Sequence, residues 1–130
     1  MFKDRVDAGR QLAAALLPLA LRDPIVLALP RGGVPVAAEI ARALHCPLDL
    51  LLVRKIGAPT QPELAVAAVA EGNALAINDD TLAYTGADQT YVEHEAVRQR
   101  AEIARRRALY LAGAPPAAVT GRTAIVVDDG

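Results

Sequence analysis

The chain has 130 residues, with 14 lysines and arginines against 15 acids and a formal net charge of −1. That length allows one domain, its 53% hydrophobic content supplies a core, and 22% charge with clear apolar periodicity excludes a disordered chain. Near neutrality speaks against a general nucleic-acid binder. The single cysteine, Cys46, excludes a disulfide framework or a cysteine zinc cage and fits a reducing cytoplasm.

Residues 5–21 read as an amphipathic helix with Val6, Gly9, Ala13, Leu16 and Leu17 on one side. The apolar part, 12–21, is about half the length a bilayer demands. Asp4 and Asp7 stand where a signal peptide needs positive charge, and Arg22-Asp23-Pro24 replaces a cleavage site, so neither a membrane span nor a leader is expected. Residues 25–29 (IVLAL) form a continuous apolar run, the pattern of a strand buried on both faces. It stops at Pro30-Arg31-Gly32-Gly33, and 34–44 then carries Val36, Ala37, Ile40, Ala41 and Leu44 at helical spacing, with Pro35 in the first turn. His45-Cys46-Pro47 breaks the helix, and 48–53 (LDLLLV) reads as a second buried strand, which completes a βαβ unit with its right-handed crossover.

Residues 56–63 (IGAPTQPE) must be a loop. The runs 65–70 and 74–78 flank Glu71-Gly72-Asn73 and suggest a hairpin. Thr90-Tyr91-Val92-Glu93 spells a capping box for a helix to about residue 112, stopped by Gly113 and Pro115-Pro116. Residues 123–127 (TAIVV) read as a third buried strand, running into Asp128-Asp129-Gly130.

Three motifs carry chemistry. Arg31, Gly32 and Gly33 lie between a strand's carboxyl end and a helix N-terminus, where helix amides, glycines and one arginine suit a phosphate-like anion. Arg54 and Lys55 follow the second strand and would meet the same anion if the strands are neighbours, about 4.8 Å apart. Asp128 and Asp129 close the third strand, where two acids suit vicinal hydroxyls or a hydrated Mg2+. Each alone also fits an ordinary turn or a solvated strand end. Together they place all three groups on one edge of a parallel sheet, with Arg31, Lys55 and Asp128 within roughly 15 Å. The implied ligand is a phosphorylated sugar bearing pyrophosphate and Mg2+. A P-loop NTPase is excluded because G-x-x-x-x-G-K-[ST] is missing.

With ALPRGGVPVA, LDLLLVRKIGAPTQPELAVAAVAEG and GRTAIVVDDG, the chain resembles the type I phosphoribosyltransferases over nearly its whole length, and in particular a bacterial branch of uncharacterised members. The resemblance implies an α/β fold, a Rossmann-like core with a parallel sheet and an inserted β-hairpin, forming one domain over 1–130. It implies Mg2+-dependent transfer of a phosphoribosyl group between phosphoribosyl pyrophosphate (PRPP) and a nitrogenous acceptor. Arg31, Gly32, Gly33, Arg54 and Lys55 would bind pyrophosphate. Asp128, Asp129 and Gly130 would bind ribose, with Mg2+ held through PRPP near the two acids and no direct protein ligand. The segment 57–63 falls where the family carries a flexible loop over the active site.

Thr60-Gln61 stands where that branch has Gly-Asn, and no segment resembles a hood for a base. The family motif continues past the acids into a T-G-x-[TS] loop for the 5′-phosphate, whereas this sequence stops at Gly130. The reading is therefore a domain C-terminally incomplete within its motif. Taken alone, the chain is expected to bind PRPP weakly or not at all, to lack turnover, and to self-associate through an uncovered sheet face. The rival readings are a PRPP-sensing regulatory module without catalysis and an inactive fragment. His94-Glu95 does not begin a zinc motif, because position 98 is arginine. His45 reads as a capping or surface residue, Cys46 as a small hydrophobe, and the arginines at 98, 100 and 105–107 as a solvated helix face.

Overall fold

A computed structural model describes residues 1–72, 74–111 and 116–130. The chain forms two compact units, one built from 1–51 with 116–130 and the other from 52–115. Among the described residues no helix is long and apolar enough to cross a membrane.

The first unit begins with α1 (Arg5–Leu16), capped by the Asp4 carboxylate, which accepts the Asp7 N–H at 2.8 Å. The helix is shorter than its sequence suggests. Pro18 cannot extend the hydrogen-bond ladder, so a single 3-10 turn over Leu17–Leu19 ends it at Ala20 in the left-handed region. Its buried face is Ala8, Gly9 and Ala13, while Val6 and Leu17 of the expected stripe are exposed. Then β1 (Pro24–Ala28), α2 (Gly33–Leu44) and β2 (Leu48–Leu50) form the anticipated βαβ unit, with β1 and β2 parallel from Val26↔Leu48 to Ala28↔Leu50. Along the other side of β1 lies β6 (Thr123–Val127), also parallel, giving the order β2-β1-β6. His45 closes α2 at φ 52°, its N–H donating to the Ala41 and Arg42 carbonyls.

In the central strand, Ile25, Val26 and Ala28 are fully buried. One apolar core joins Val26, Ala28 and Val127 of the sheet to Val36, Ala37, Ile40 and Ala41 of α2 and to Ala8 and Ala13 of α1. A side chain such as Ile40 contributes about 2–3 kcal/mol by that burial. Gly9 permits the helices to touch: a Cβ there would lie 2.6 Å from the Val36 carbonyl oxygen and from the Glu39 Cβ. The third strand departs from expectation. In β6, Ala124 and Val126 are exposed and only Val127 is buried, because side chains alternate between the two faces and only the face of Ile125 and Val127 packs on the core.

The second unit holds an antiparallel sheet of β3 (Val53–Gly57), β4 (Ala65–Ala70) and β5 (Leu75–Ile77) in that order. The hairpin between β4 and β5 is as expected, with Asn73 outside the described residues. The run 48–53, however, is not one strand. It is cut after Leu50, and Val53 opens β3 in a different sheet. A short helix, α3 (Asp79–Thr85), is capped by Asn78, whose side chain accepts the Thr81 N–H at 3.1 Å, and closed by Gly86 at φ 74°. The long helix α4 (Gln89–Leu111) starts at Asp88, not at a Thr90 capping box: the Asp88 carboxylate accepts the Tyr91 N–H at 2.8 Å. Its expected stop at 112–116 lies almost wholly outside the described residues.

Val92, Ala96 and Ile103 bury one side of α4, which packs on β3 and β4. Its outer face is an ion-pair ladder, Arg98 with Glu95 at 2.7 Å and Arg105 and Arg106 with Glu102 at 2.6 and 2.9 Å. Those two arginines hold the Glu102 carboxyl down to about 2. Arg107 corrects the reading of that arginine cluster as solvated. It shares the stripe of 92, 96 and 103, is only 6% exposed, and forms a two-pronged pair with Glu71, one prong Nη2 to Oε1 at 2.8 Å and the other Nε to Oε2. Removing Glu71 takes two charge-assisted bonds from a buried guanidinium. Glu71→Ala is therefore expected to destabilise the fold by about 2 kcal/mol in chemical denaturation, and Glu102→Ala on the solvated face to leave the transition nearly unchanged.

Candidate functional site

The site in the first unit grows from the end of β1. The Leu29 N–H donates to the Val127 carbonyl at 2.8 Å, which extends the β1–β6 pairing by one bond. The chain then turns through Pro30, a cis peptide bond to Arg31, and Gly32 into α2. The Gly33 N–H donates to the Leu29 carbonyl at 3.0 Å and the Val34 N–H to the Arg31 carbonyl at 3.3 Å. This narrows the sequence reading of free helix amides. Two of those N–H groups are engaged within the turn and Pro35 has none, so among the described residues the Arg31 and Gly32 N–H groups remain for a ligand, beside the exposed Arg31 side chain.

Both glycines are required by proximity. A Cβ on Gly33 would lie 2.6 Å from the Val127 carbonyl oxygen, and one on Gly32 would fall 1.8 Å from Asp129 Oδ2. The turn and the acid pair, about a hundred residues apart in sequence, are therefore in direct contact. Asp128 accepts the Asp129 N–H on its own Oδ1 at 2.8 Å, and Asp129 Oδ2 takes a hydrogen bond from Arg5 Nη2 at 2.8 Å. That hydrogen bond from Arg5 is the main reason the Asp129 carboxyl is held below its ordinary value. Asp4, Arg5, Ala8, Val36, Asp128 and Asp129 are among the walls of a surface pocket of about 500 Å³ that also includes Gly130.

Arg54 and Lys55 do not extend the parallel sheet. They lie within β3, paired to Val69 and Ala68 of β4, and not at a strand's carboxyl end. The expectation that they share a parallel-sheet edge with Arg31 and Asp128 is corrected: the chain leaves that sheet at Leu50, and β3 pairs antiparallel in the second unit. Strand alternation sends the two side chains to opposite faces. Arg54 Nε donates to Gln99 Oε1 on α4 at 3.0 Å, whereas Lys55 is exposed beside a pocket of about 680 Å³ that includes Asn78, Asp79 and Asp80. The loop after β3 folds compactly on itself, with Ala58 N–H to the Leu64 carbonyl at 2.8 Å and Leu64 N–H to the Gln61 carbonyl at 2.9 Å. The Tyr91 hydroxyl donates to the Gly57 carbonyl at 2.6 Å at its base. Burial pushes the Cys46 thiol up, which agrees with an unreactive role.

Sequence reasoning missed Arg5. Its only signal was a place one residue after a helix cap, and nothing in the local pattern ties it to a residue 124 positions away.

A glycine turn touching an acid pair at the carboxyl end of a parallel sheet defines an α/β domain of the kind that binds ligands at that edge. The chain belongs to the phosphoribosyl transferase domain family, whose model matches residues 3–130. Two proteins of Mycobacterium tuberculosis, from strains CDC 1551 and H37Rv and provisionally named phosphoribosyl transferases, are each 46% identical to it over 130 residues. Those 130 residues are all of this chain and 29% of each relative, so the chain spans under a third of the curated relatives it matches. The crystal structure of TT1426 from Thermus thermophilus is 51% identical and superposes with a TM-score of 0.81, covering 98% of this chain and 60% of that one.

Two outcomes follow from this geometry. Gly33→Ala must move either α2 or the β6 backbone and is expected to cost about 2 kcal/mol by thermal or chemical unfolding. In an NMR titration the Asp129 carboxyl should ionise below the usual aspartate range, and Arg5→Ala should raise it toward that range. The sign follows from a depressed folded-state value: the pair's contribution is present above the ordinary aspartate range and is lost as pH falls through the folded-state value.

Proposed function

We propose that the protein is a phosphoribosyltransferase that moves a phosphoribosyl group between PRPP and a nitrogenous acceptor with Mg2+. The observation carrying this reading is the contact of the Arg31-Gly32-Gly33 turn with Asp128 and Asp129, within a chain of the phosphoribosyl transferase domain family. The proposed site is built from the first unit alone. Arg31 and the Arg31 and Gly32 N–H groups would hold the pyrophosphate. Asp128 and Asp129 would accept hydrogen bonds from the ribose hydroxyls, and Gly130 lies beside them on the pocket wall.

The chemistry asks for little more from the protein. As the bond from C1 to pyrophosphate lengthens, positive charge grows on the sugar and negative charge on the leaving group. Donors already aimed at the leaving group stabilise that separation without reorganising. Among the described residues no three carboxylate, imidazole or thiol groups gather to cage a metal. Magnesium commonly keeps its waters and binds through substrate phosphates. The residues present fit an ion carried by the diphosphate near Asp128 and Asp129. It would neutralise the diphosphate charge. The reading also puts the reaction in the cytoplasm, in keeping with one free thiol.

Titration of the chain with magnesium pyrophosphate, followed by amide NMR, is expected to shift residues 31–34 first, and Arg31→Ala to weaken binding about tenfold. Largest shifts on the arginine-rich part of α4 would overturn the site. Pyrophosphate release with a panel of nitrogenous bases, from the chain extended through the 5′-phosphate loop, then tests the transfer, and binding without release there would favour a sensing role.

A further inference from the structure

Arg5 is exposed, lies on neither motif, and yet touches one of the two acids of the site. Its position follows from three contacts. The Asp4 cap fixes where α1 begins. Gly9 lets α1 settle directly on Val36 and Glu39 of α2, and Arg10 lies 3.8 Å from Glu39. With those contacts made, Arg5, about one helical turn before Gly9, stands beside the start of α2, where the glycine turn and Asp129 meet.

The Asp129 carboxylate is held from two sides. Arg5 Nη2 binds Oδ2 at 2.8 Å, and the same oxygen occupies the space that the missing Gly32 side chain leaves. Three acids, Asp4, Asp128 and Asp129, line this pocket, and Arg5 on the same wall pairs with Asp129. Asp4 is committed to capping α1. Without Arg5 the Asp129 carboxylate loses the charge-assisted bond that holds Oδ2 at the glycine turn.

We propose that Arg5 is a positioning residue of the phosphoribosyl site, holding Asp129 against the glycine turn in the orientation that receives the ribose hydroxyls. This rests on the PRPP reading above and deepens it. Arg5 acts on the sugar half of the ligand through Asp129, and leaves the pyrophosphate half, held at Arg31 and Gly32, untouched.

The test is calorimetry, with magnesium PRPP and, separately, magnesium pyrophosphate, of the chain extended past Gly130 through a T-G-x-[TS] loop for the 5′-phosphate. Arg5→Ala is expected to weaken PRPP about tenfold and pyrophosphate less than twofold, since Asp129, which meets only the sugar half, is no longer held by its charge-assisted bond. Arg5→Lys should recover much of the loss, because a shorter-reach cation still pairs with Asp129. Combining Arg5→Ala with Asp129→Asn should weaken PRPP no further than Asp129→Asn alone, as required if Arg5 works through that carboxylate. Equal loss of both ligands, additive effects in the double variant, or an unchanged PRPP affinity in Arg5→Ala would overturn the assignment while leaving the PRPP reading in place. An extended chain without substitutions that binds neither ligand would overturn the PRPP reading itself, and this assignment with it.

Discussion

The contact between Gly33 and the Val127 carbonyl is the constraint on which the rest of the first unit depends. A parallel strand pair needs a crossover, and the helix of that crossover must begin very close to the strand it leaves. Here it begins so close to β6 that no side chain fits between them. The bond from the Leu29 N–H to the Val127 carbonyl holds the two strand ends level. Whatever follows Val127 therefore emerges against the turn, which is how Asp128 and Asp129 reach Gly32.

Charge is handled differently in the two units. In the second, Arg107 and Glu71 form a buried two-pronged pair whose value lies mainly in what breaking it would cost. In the first, Arg5 and Asp129 are partly exposed, and water screens such a pair until it adds little to stability. Its effect is on orientation and ionisation: it fixes the Asp129 carboxylate in place and holds it below the ordinary aspartate value. The same kind of contact thus secures a fold in one place and arranges a site in another, and burial makes the difference.

The long α4 shows how local rules mislead and how they could be refined. Its arginines alternate with glutamates and read as a solvated face, which holds for Arg98, Arg105 and Arg106. Arg107 sits four residues after Ile103, in register with Val92 and Ala96, and helical periodicity alone would have set it on the buried side. Likewise Asp88 wins the cap from Thr90 because its carboxylate reaches the Tyr91 N–H.

Sequence by itself determined the βαβ unit, the buried character of β1, the β4–β5 hairpin, the glycine turn with its arginine, and the acid pair closing β6. These rest on periodicity over a few residues and on backbone demands that glycine and proline meet locally. Tertiary structure alone decided that the chain leaves the parallel sheet after Leu50, which places Arg54 and Lys55 in an antiparallel sheet, because an apolar run such as LDLLLV is compatible with either pairing. It also decided that β6 is an edge strand, that Arg107 is buried on Glu71, and that Arg5 meets Asp129. Each of these joins residues far apart in sequence, and only packing at Gly9, Gly33 and the α4 stripe sets such distances.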